Sequence, residues 1–353
     1  MRLRSVLLAG AVMLAGAIAL PQPGAAQDKT VRMNMQSWFP SSAPHAGSIG
    51  KDIERKVAKA TSNTVRIRFY EPGALVPPAE CFDAVASGSL DACWSTPAYW
   101  HGKNPAFSIF SAVPFGPSWP ELIAWFYKGG GKEIYDQLYN KANIHAMPCG
   151  GMVPEASGWF KKEIKSLDDM KGLKMRILGL GGAVLQKLGV STQLLAGGDI
   201  YPALELGSID AAEFAAPSSD KALGFHEVAK FYYFPGWHQP ATFYDLMINL
   251  DRWKSLSETQ RFQIEMVCGD NLRQLIAEGE SVQGETLEFF KSKGVQVRRW
   301  SPEMLEQFRK AWHEVAGEHA AKNETFKAAW NSQQAFREKY KVWRELQDLG
   351  GMQ

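Results

Sequence analysis

The alternation of apolar and polar residues divides most of the chain into short strands and helices. Residues 31–38 and 64–70 have apolar side chains at nearly every second position, which is typical of β-strands. Between them, residues 44–60 begin with a proline and then have isoleucine or valine at every fourth position, which predicts a helix with one apolar face. The order of strand and helix recurs in residues 173–189 and 199–214. This pattern predicts an α/β fold with mostly parallel sheets covered by helices.

The last third of the chain has a helical pattern instead. Residues from about 257 to 293 predict one long helix and residues 302–349 predict two more, with a short strand at residues 295–300 between them. The C-terminal helices carry a stripe of large apolar residues, which predicts packing against the chain's own domain. The members of the stripe are Leu305, Phe308, Trp312, Phe326, Trp330, Phe336, Tyr340 and Trp343.

Two segments in the first two thirds of the chain are similar to each other. Residues 82–92, FDAVASGSLDA, align without a gap on residues 201–211, YPALELGSIDA, with five identities in eleven positions. Each predicts a helix that ends at a glycine, Gly88 or Gly207, followed by a turn and a buried strand, because glycine readily adopts the left-handed conformation of a C-cap. The repeat predicts two related lobes with a ligand cleft between them. The residues that follow each copy should lie at matching strand ends facing that cleft.

The N-terminal segment has the composition of an export signal. Two of its first four residues, Arg2 and Arg4, are basic, residues 5–20 are almost entirely apolar or small, and the segment ends in small residues up to Ala26. The apolar run is shorter than the about 20 residues that a membrane-spanning helix needs, and two prolines follow it. We therefore expect residues 1–26 to be a signal peptide that is cleaved near Ala26.

The charge of the chain argues against one class of partner. There are 39 Lys and Arg residues and 37 Asp and Glu residues, and Arg2 and Arg4 of the signal segment account for the whole excess, since 39 − 2 = 37. A neutral mature chain has no electrostatic basis for binding nucleic acid or an anionic membrane. An anionic ligand would have to be attracted by local charges.

The sequence lacks the motifs of common secreted enzymes. It has no serine nucleophile elbow, no paired-histidine zinc motif and no Walker loop, and its seven histidines predict surface or packing roles. The glycine-rich turn at residues 179–184 follows a strand and opens a helix, but it lacks the third glycine of a dinucleotide site. We interpret this turn as backbone room beside a small ligand.

The four cysteines, Cys81, Cys93, Cys149 and Cys268, do not have the spacing of a metal site. Their spacing leaves one disulfide and buried free thiols as open alternatives, with no pairing assigned.

Arg176 is the notable charge in the predicted strand at residues 173–178. An arginine in a buried strand needs a partner, and a carboxylate matches the planar guanidinium group. The partner is either a bound ligand or an acidic side chain in an internal salt bridge.

Three segments of the chain have a distinctive sequence: GWFKKEIKSLDDMKGLKMRILGLGGAVLQKLGV, AGGDIYPALELGSIDAAEF and FYYFPGW. Together they resemble the extracytoplasmic solute receptors of tripartite ATP-independent periplasmic (TRAP) transporters, the DctP-type family. The similarity covers nearly the whole mature chain and is greatest to the branch that binds 2-oxo acids such as pyruvate, or 2-hydroxy acids such as lactate. It implies a two-lobed, periplasmic-binding-protein-like α/β fold that closes on a carboxylate bound by Arg176.

The resemblance and the pattern together imply a division of the chain. Residues 27–150 with about 240–265 are expected to form the first lobe, and residues 151–239 with about 290–300 the second lobe. The long helix at about 257–293 is expected to connect the lobes, and residues 302–349 to form the C-terminal helices.

The resemblance also implies a cation, sodium or calcium, that is bound together with the ligand. Its protein ligands would be Glu155, Glu213, the backbone carbonyl of Phe214 and Gln239. Related receptors often have Gln at the position of Glu155, an acid at the position of Gln239 and Trp at the position of Phe214. In this chain the negative charge is at Glu155 instead of at position 239, so the total charge and the number of oxygen ligands stay the same. Arg176 carries one positive charge, whereas Glu155, Glu213 and the anionic ligand together carry three negative charges. A divalent ion would therefore neutralise the site, and sodium would leave one negative charge.

Aromatic residues at strand ends and loops are candidates for the walls of the cleft. Phe39, Tyr99, Trp100 and Trp237 are the candidates, with Tyr99 favoured because its hydroxyl group can also donate a hydrogen bond. Together with Arg176, Glu155, Phe214 and Gln239, they complete the expected ligand site.

The sequence thus predicts a non-catalytic periplasmic receptor that delivers a small 2-oxo or 2-hydroxy monocarboxylate, bound with a cation, to the membrane subunits of a TRAP transporter. Two alternatives remain open. In the first alternative, the receptor binds another organic acid, such as a dicarboxylate, sulfonate or aromatic acid. In the second, the protein is a secreted metal-dependent enzyme. In the resembling branch a C-terminal helix can be exchanged between subunits, which also suggests a homodimer.

Overall fold

A computed structural model of the protein describes residues 29–347, which form two β-sheets with their covering helices. The expected signal peptide and residues 348–349 of the expected C-terminal segment lie outside the described residues. The strands are β1 (Val31–Ser37), β2 (Val65–Tyr70), β3 (Ala92–Ser95), β4 (Ile144–Met152), β5 (Gly158–Phe160), β6 (Lys174–Arg176), β7 (Ser191–Gln193), β8 (Ala211–Ala212), β9 (Phe231–Phe234), β10 (Thr242–Asn249) and β11 (Gln296–Arg299).

The helices cover both sheets and continue past the last strand. They are α1 (Ala46–Ala60), α2 (Cys81–Ser87), α3 (Trp119–Lys128), α4 (Gly131–Asn140), α5 (Gly179–Lys187), α6 (Gly197–Leu206), α7 (Pro217–Ala222), α8 (Phe225–Val228), α9 (Leu250–Lys254), α10 (Glu258–Ser292), α11 (Pro302–Lys322) and α12 (Glu324–Gln347). None of those in residues 29–347 combines the length and the apolar character that crossing a membrane requires.

The two sheets are only partly parallel. The first has the strand order β2-β1-β3-β10-β4 and the second has the order β11-β9-β5-β8-β6-β7. In each sheet one strand, β10 or β5, runs antiparallel to both of its neighbours, so that five of the nine strand pairings are parallel. The prediction of mostly parallel sheets misses these two strands, which the chain enters after crossing from the other lobe rather than after a covering helix.

The internal repeat corresponds to the same local structure in both lobes. Gly88 ends α2 and Gly207 ends α6, each in the left-handed conformation, with φ of 79° and 75°. Each copy then leads into a strand, β3 or β8, that pairs in parallel with an earlier strand of its lobe, β1 or β6. Even a capping contact recurs, because Asp91 Oδ2 accepts from the Asn34 amide and Asp210 Oδ2 accepts from the Lys174 amide, both at 2.9 Å.

Two short segments carry the chain between the sheets. The first joins β4 to β5, and the second joins β9 to β10. The long helix α10 packs on β4 and α1 of the first lobe, then on α7, and leads into β11 of the second sheet. It begins and ends within one residue of the predicted helix, and Ser257 and Gln260 form a capping box at its start.

The C-terminal helices pack on the body of the chain. Helix α11 packs on α5 of the second lobe, and α12 packs on α3 and α4 of the first lobe. Phe308, Trp312 and Phe326 of the predicted apolar stripe are buried, as expected, whereas Trp343 near the end of α12 is 57% exposed.

All four cysteines form disulfides. Cys81 pairs with Cys93 inside the first copy of the repeat, and Cys149 of β4 pairs with Cys268 of α10. The second bond ties the long helix to the strand that leads into the first crossing segment.

Candidate functional site

A small cavity lies between the lobes, where the crossing segments meet the strand ends. Glu155 is in the segment from β4 to β5, and Gln239 is in the segment from β9 to β10. Thr96 follows β3 and Phe214 follows β8, so the two strand ends that the repeat placed at the cleft do line the cavity. The cavity has a volume of only about 20 Å³, so the lobes lie close together here.

Arg176 is completely buried at the end of β6. Its Nε donates to the Leu195 carbonyl at 3.2 Å, and its Nη1 donates to the Glu213 carbonyl at 2.6 Å and lies 3.1 Å from Glu213 Oε1. The internal salt bridge considered from the sequence is therefore present. Among residues 29–347, however, no hydrogen-bond partner reaches Nη2. This part of the guanidinium group remains available to bind a ligand carboxylate.

Two buried carboxylates lie side by side at the cavity, where Glu155 lines the wall and Glu213 directly precedes the lining residue Phe214. Glu155 Oε1 accepts a short hydrogen bond from Gln239 Nε2, and Glu213 Oε1 accepts from the Leu178 amide at 3.0 Å. The second oxygen of each, Glu155 Oε2 and Glu213 Oε2, has no hydrogen-bond partner in the described part of the chain. Burying unpaired carboxylate oxygens is costly unless a cation or a proton compensates.

Burial dominates the electrostatics of the site. It raises the pKa of Glu155 well above its ordinary value, and the charge of Glu213 adds to the rise, whereas Arg176 and Gln239 oppose it. Burial also raises the pKa of Tyr99 to about 12, although Arg176 opposes the shift, so the phenol remains a hydrogen-bond donor at neutral pH. A cation between the two carboxylates would relieve the repulsion that Glu155 experiences.

Aromatic rings form the apolar walls of the cavity. Phe39 and Tyr99 line it from the first lobe and Phe214 from the second. Tyr99 stacks on Trp38 with ring centroids 4.2 Å apart, and the Phe214 ring lies 5.3 Å from the Arg176 guanidinium carbon. These contacts fix the rings beside the charged groups, leaving an apolar surface for the organic part of a ligand.

Two aromatic candidates lie away from the cavity. Trp100 is buried in the first lobe beside Phe82, with ring centroids 5.3 Å apart, and it is not among the residues that line the cavity. Tyr99 faces the cavity and Trp100 does not, because consecutive residues of the short 3₁₀ turn at Pro97–Trp100 point in different directions. Trp237 packs on Phe115 and on Phe308 of α11 instead.

Two residues of the site were missed by the sequence reasoning. Tyr244 of β10 lines the cavity, and His238 is buried beside both carboxylates, so that its expected role as a surface or packing residue is incomplete. The position of His238 next to Gln239 was the available signal. The sequence around Tyr244 gave no such signal, because an aromatic residue in a buried strand is normally part of the hydrophobic core.

The residues present fit a bound cation. Glu155, Glu213 and His238 each offer a ligand atom, and these atoms lie within 4.8 Å of one another. Two of the four expected ligands, Glu155 and Glu213, are therefore brought together, and Gln239 is hydrogen-bonded to one of them. The unpaired oxygens of the two carboxylates supply the hard ligands that sodium and calcium prefer.

The two sheets, the crossing segments and the charged cavity between them define a two-lobed solute-binding protein. The model of the DctP family, bacterial extracellular solute-binding proteins of family 7, matches residues 36–323. The chain belongs to this family. The family resemblance, the two-lobed fold and the prediction of a transport receptor rather than an enzyme are confirmed by this match and by the solved structures that follow.

A monocarboxylate 2-oxoacid-binding periplasmic protein of Nostoc sp. is 35% identical over 320 residues, which are 90% of this chain and 87% of that protein. A TRAP transporter solute-binding protein from Bordetella bronchiseptica, with calcium and picolinate, is 34% identical with a TM-score of 0.88, covering 90% of this chain and 95% of that one. A TRAP periplasmic solute-binding protein from Pseudoalteromonas atlantica, with sodium and pyruvate, is 31% identical with a TM-score of 0.87, covering 91% and 98%.

Proposed function

We propose that this receptor binds a small 2-oxo or 2-hydroxy monocarboxylate such as pyruvate together with a cation, and delivers it to the membrane subunits of a TRAP transporter. One observation carries the proposal: beside the cavity that Glu155 and Phe214 line, Arg176 Nη2 and the second oxygens of Glu155 and Glu213 are buried and have no hydrogen-bond partner within residues 29–347. A free cationic donor beside two free anionic acceptors is complementary to a carboxylate and a cation bound as a pair.

The ligand would be held by both kinds of charge. Arg176 would bind one carboxylate oxygen, and the other carboxylate oxygen and the 2-oxo oxygen would chelate the cation in a five-membered ring. Glu155, Glu213, the Phe214 carbonyl and Gln239 are the proposed protein ligands of that ion. The phenol of Tyr99 would donate to the ligand, while Phe39 and Phe214 enclose its organic part. Since these groups come from both lobes, binding favours the closed arrangement.

A planar aromatic 2-carboxylate is the second candidate ligand. Picolinate also offers a carboxylate oxygen and a neighbouring donor atom to a cation, and it was found with calcium in the Bordetella protein. The ring walls of Phe39, Tyr99 and Phe214 suit such a ligand.

Three further proposals concern the molecule as a whole. Residues 1–26 would be the cleaved signal peptide of a protein that acts in the periplasm. The lobes would follow the division given from the sequence, with α10 as the connecting helix. The receptor would form a homodimer through its C-terminal helix, supported by the exposed apolar residues Val342, Trp343 and Leu346 at the end of α12 and by the dimer described for the Bordetella protein.

The ligand proposal is tested by calorimetry on mature protein freed of ions with a chelator. Pyruvate, lactate, picolinate, succinate and a sulfonate are titrated in sodium, in calcium and in neither. We expect pyruvate to bind only with an ion present, and Arg176→Ala to weaken binding by more than about tenfold, because a charged hydrogen bond is lost. Arg299→Ala, in the edge strand β11, is the matched control. Binding of none of the 2-oxo or 2-hydroxy acids, or tight binding without any ion, would contradict the proposal.

A further inference from the structure

A groove separate from the ligand cavity lies between the crossing segments and the C-terminal helices. Its larger part has a volume of about 600 Å³ and is lined by residues 154–155 of the first crossing segment and 235–237 of the second. A smaller part of about 160 Å³ continues between α11 and α12. The two parts form one surface, because they share the lining residues Phe115, Arg309, Arg337 and Arg344.

One face of α12 gives this groove a positive charge. Residues of that face recur every three or four positions and line the smaller part: Trp330, Gln334, Arg337, Lys341 and Arg344. Arg309 of α11 adds a fourth cation. Within residues 29–347 only two acids line the groove, Glu155 and Glu338, and the carboxyl group of Glu155 belongs to the ion site instead.

Three of the four cations have no carboxylate within hydrogen-bond distance in the described part of the chain. The separations are 3.6 Å from Arg309 Nε to Glu306, 3.8 Å from Lys341 Nζ to Glu345, and 3.8 Å from Arg344 Nη1 to Glu121. Gln334 Nε2 is buried beside them and has no hydrogen-bond partner within residues 29–347. Neighbouring positive charges repel each other and a buried amide without a partner is costly, so the groove is complementary to an anion.

Arg337 differs from the other cations because the protein itself uses it. It donates to the Phe115 carbonyl at 3.0 Å, to the Gly116 carbonyl at 3.3 Å and to buried Glu121 at 3.2 Å. Arg309 lies over the Phe115 ring that is held in this way, with its guanidinium carbon 4.4 Å from the ring centroid. A stacked guanidinium group keeps its N–H groups at the edge, where a carboxylate can reach them.

Phe115 also connects the groove to the crossing segments. Its ring stacks on Trp237 of the second segment with centroids 5.7 Å apart, and its amide donates to the Trp237 carbonyl at 2.6 Å. Since both crossing segments form walls of the groove, a rotation of the lobes about them would change its shape. An occupant would therefore bind one arrangement of the lobes more tightly than another.

We propose that this groove is a docking site for an acidic, extended segment of a partner protein. Carboxylates of the segment would bind Arg309, Lys341 and Arg344, and its apolar side chains would lie against Phe115 and Trp330. The row from Arg337 to Arg344 extends about 10 Å along α12, which is the length of about three residues of an extended chain. This row is longer than the separation of the carboxyl groups in a small organic acid, so a peptide is favoured as the occupant.

The docking site is independent of the other proposed sites. It uses no group of the ion site, so it goes beyond the proposed function. The exposed apolar residues Val342, Trp343 and Leu346, which support the proposed homodimer, lie on the opposite face of α12. A partner protein and a second copy of the chain could therefore occupy α12 at the same time.

The docking site is tested by fluorescence anisotropy of the mature, ligand-free receptor with a labelled peptide of alternating glutamate and leucine. We expect this peptide to bind and its counterpart with lysine in place of glutamate not to bind. Arg309→Gln with Arg344→Gln should weaken binding by more than about tenfold, because charged hydrogen bonds are lost. Lys310→Gln with Lys339→Gln is the matched control, since it removes the same charge from exposed positions of the same helices outside the groove.

Several results would overturn the proposal. The first is a wild type that binds neither peptide or both equally, which is decisive even if no variant folds, and the second is equal affinity in the two double variants. Displacement of the peptide by an equal concentration of propane-1,2,3-tricarboxylate would assign the groove to free acids instead. Light scattering that shows a dimer for the wild type and a monomer for Arg309→Gln with Arg344→Gln would assign it to a second copy.

The connection to the crossing segments is tested by repeating the peptide titration with pyruvate in sodium or calcium. We expect the peptide affinity to change by at least about fivefold when pyruvate is bound. An unchanged affinity in a receptor that binds pyruvate would refute this coupling. The docking site itself is tested without pyruvate, so a failure of the proposed function would not change that result.

Discussion

At the scale of single residues, the buried carboxyl group of Asp245 is unusual because it lies apart from the proposed ion site. It is completely buried in β10 and accepts a short hydrogen bond from the Tyr139 hydroxyl. Burial raises the pKa of Asp245 to about 8, although hydrogen bonds from Tyr139 and Tyr135 oppose the rise. The group is therefore mostly protonated at neutral pH in the folded protein, whereas in the unfolded chain it ionises near pH 4.

This difference predicts a loss of stability at higher pH. The folded state keeps a proton that the unfolded state releases, so the contribution of Asp245 is complete below about pH 4 and is lost as the pH rises toward about 8, with a slope of up to about 1.4 kcal/mol per pH unit. We expect the Asp245→Asn protein to lack this part of the pH dependence in urea unfolding without ligand. The exposed Asp83→Asn is the control, and parallel curves for wild type and Asp245→Asn would contradict the prediction.

Some residues of the site could be predicted from the sequence and others could not. Arg176 was recognisable because a charge in a buried strand needs a partner, and Glu155, Glu213 and Gln239 were recognisable only through the family resemblance. The positions of His238 and Trp100 relative to the cavity could not be predicted, because the direction of a side chain in an irregular segment depends on the backbone angles of that segment, which residue type does not determine.

At the scale of elements, hydrogen bonds connect three helices near the cavity. The His45 ring nitrogen Nε2, just before α1, lies 2.8 Å from Ser218 Oγ of α7 in the other lobe. Gln283 of α10 completes the contact, since its Oε1 accepts from the Ser218 amide and its Nε2 donates to Ser218 Oγ, both at 3.0 Å. Ser218 thus joins both lobes to the connecting helix.

Removal of the Ser218 hydroxyl should shift the protein toward an open arrangement. Each hydrogen bond contributes about 1 kcal/mol, so Ser218→Ala is expected to weaken ligand binding by about five- to tenfold with little change in Tm, because the lost contacts exist only when the lobes touch. Calorimetry gives the affinity, and small-angle scattering of the ligand-free protein gives the open fraction. Ser208→Ala, whose hydroxyl only contacts the preceding helix, is the control. An unchanged affinity would show that this contact does not favour closure.

The sequence predicted elements well where local chemistry determines them. The apolar pattern and the capping residues located α10 to within one residue, and glycine chemistry located both copies of the repeat. The antiparallel strands β5 and β10 were not foreseen, because their neighbours are distant in the chain. The disulfides were not foreseen either, since four cysteines allow three pairings and only the fold selects one.

At the scale of the whole molecule, the end of α12 bears on the proposed homodimer. Phe326 and Ala329 in its first half are buried, whereas Val342, Trp343 and Leu346 in its second half are 57% to 80% exposed. A helix that is anchored at one end and apolar at its free end has a surface suited to a second copy of the chain.

Polar substitution of this free end should give a monomer. We expect light scattering to give twice the monomer mass for the wild type and the monomer mass for Trp343→Ser with Leu346→Ser, since the buried first half of α12 is untouched. Leu206→Ser, an exposed leucine at the end of α6 in the second lobe, should remain a dimer. A monomeric wild type, or a dimeric double variant, would refute the proposal.

The crossing segments have a mechanical consequence. Glu155 and Gln239, joined by a hydrogen bond, lie on the two links about which the lobes would rotate, so the proposed ligand site is also the pivot. Displacement grows with distance from an axis, and a shift of a fraction of an ångström at the pivot becomes a larger movement at the outer surface of each lobe. A membrane subunit that senses only the outline of the receptor would thereby detect a molecule of a few atoms that it never touches.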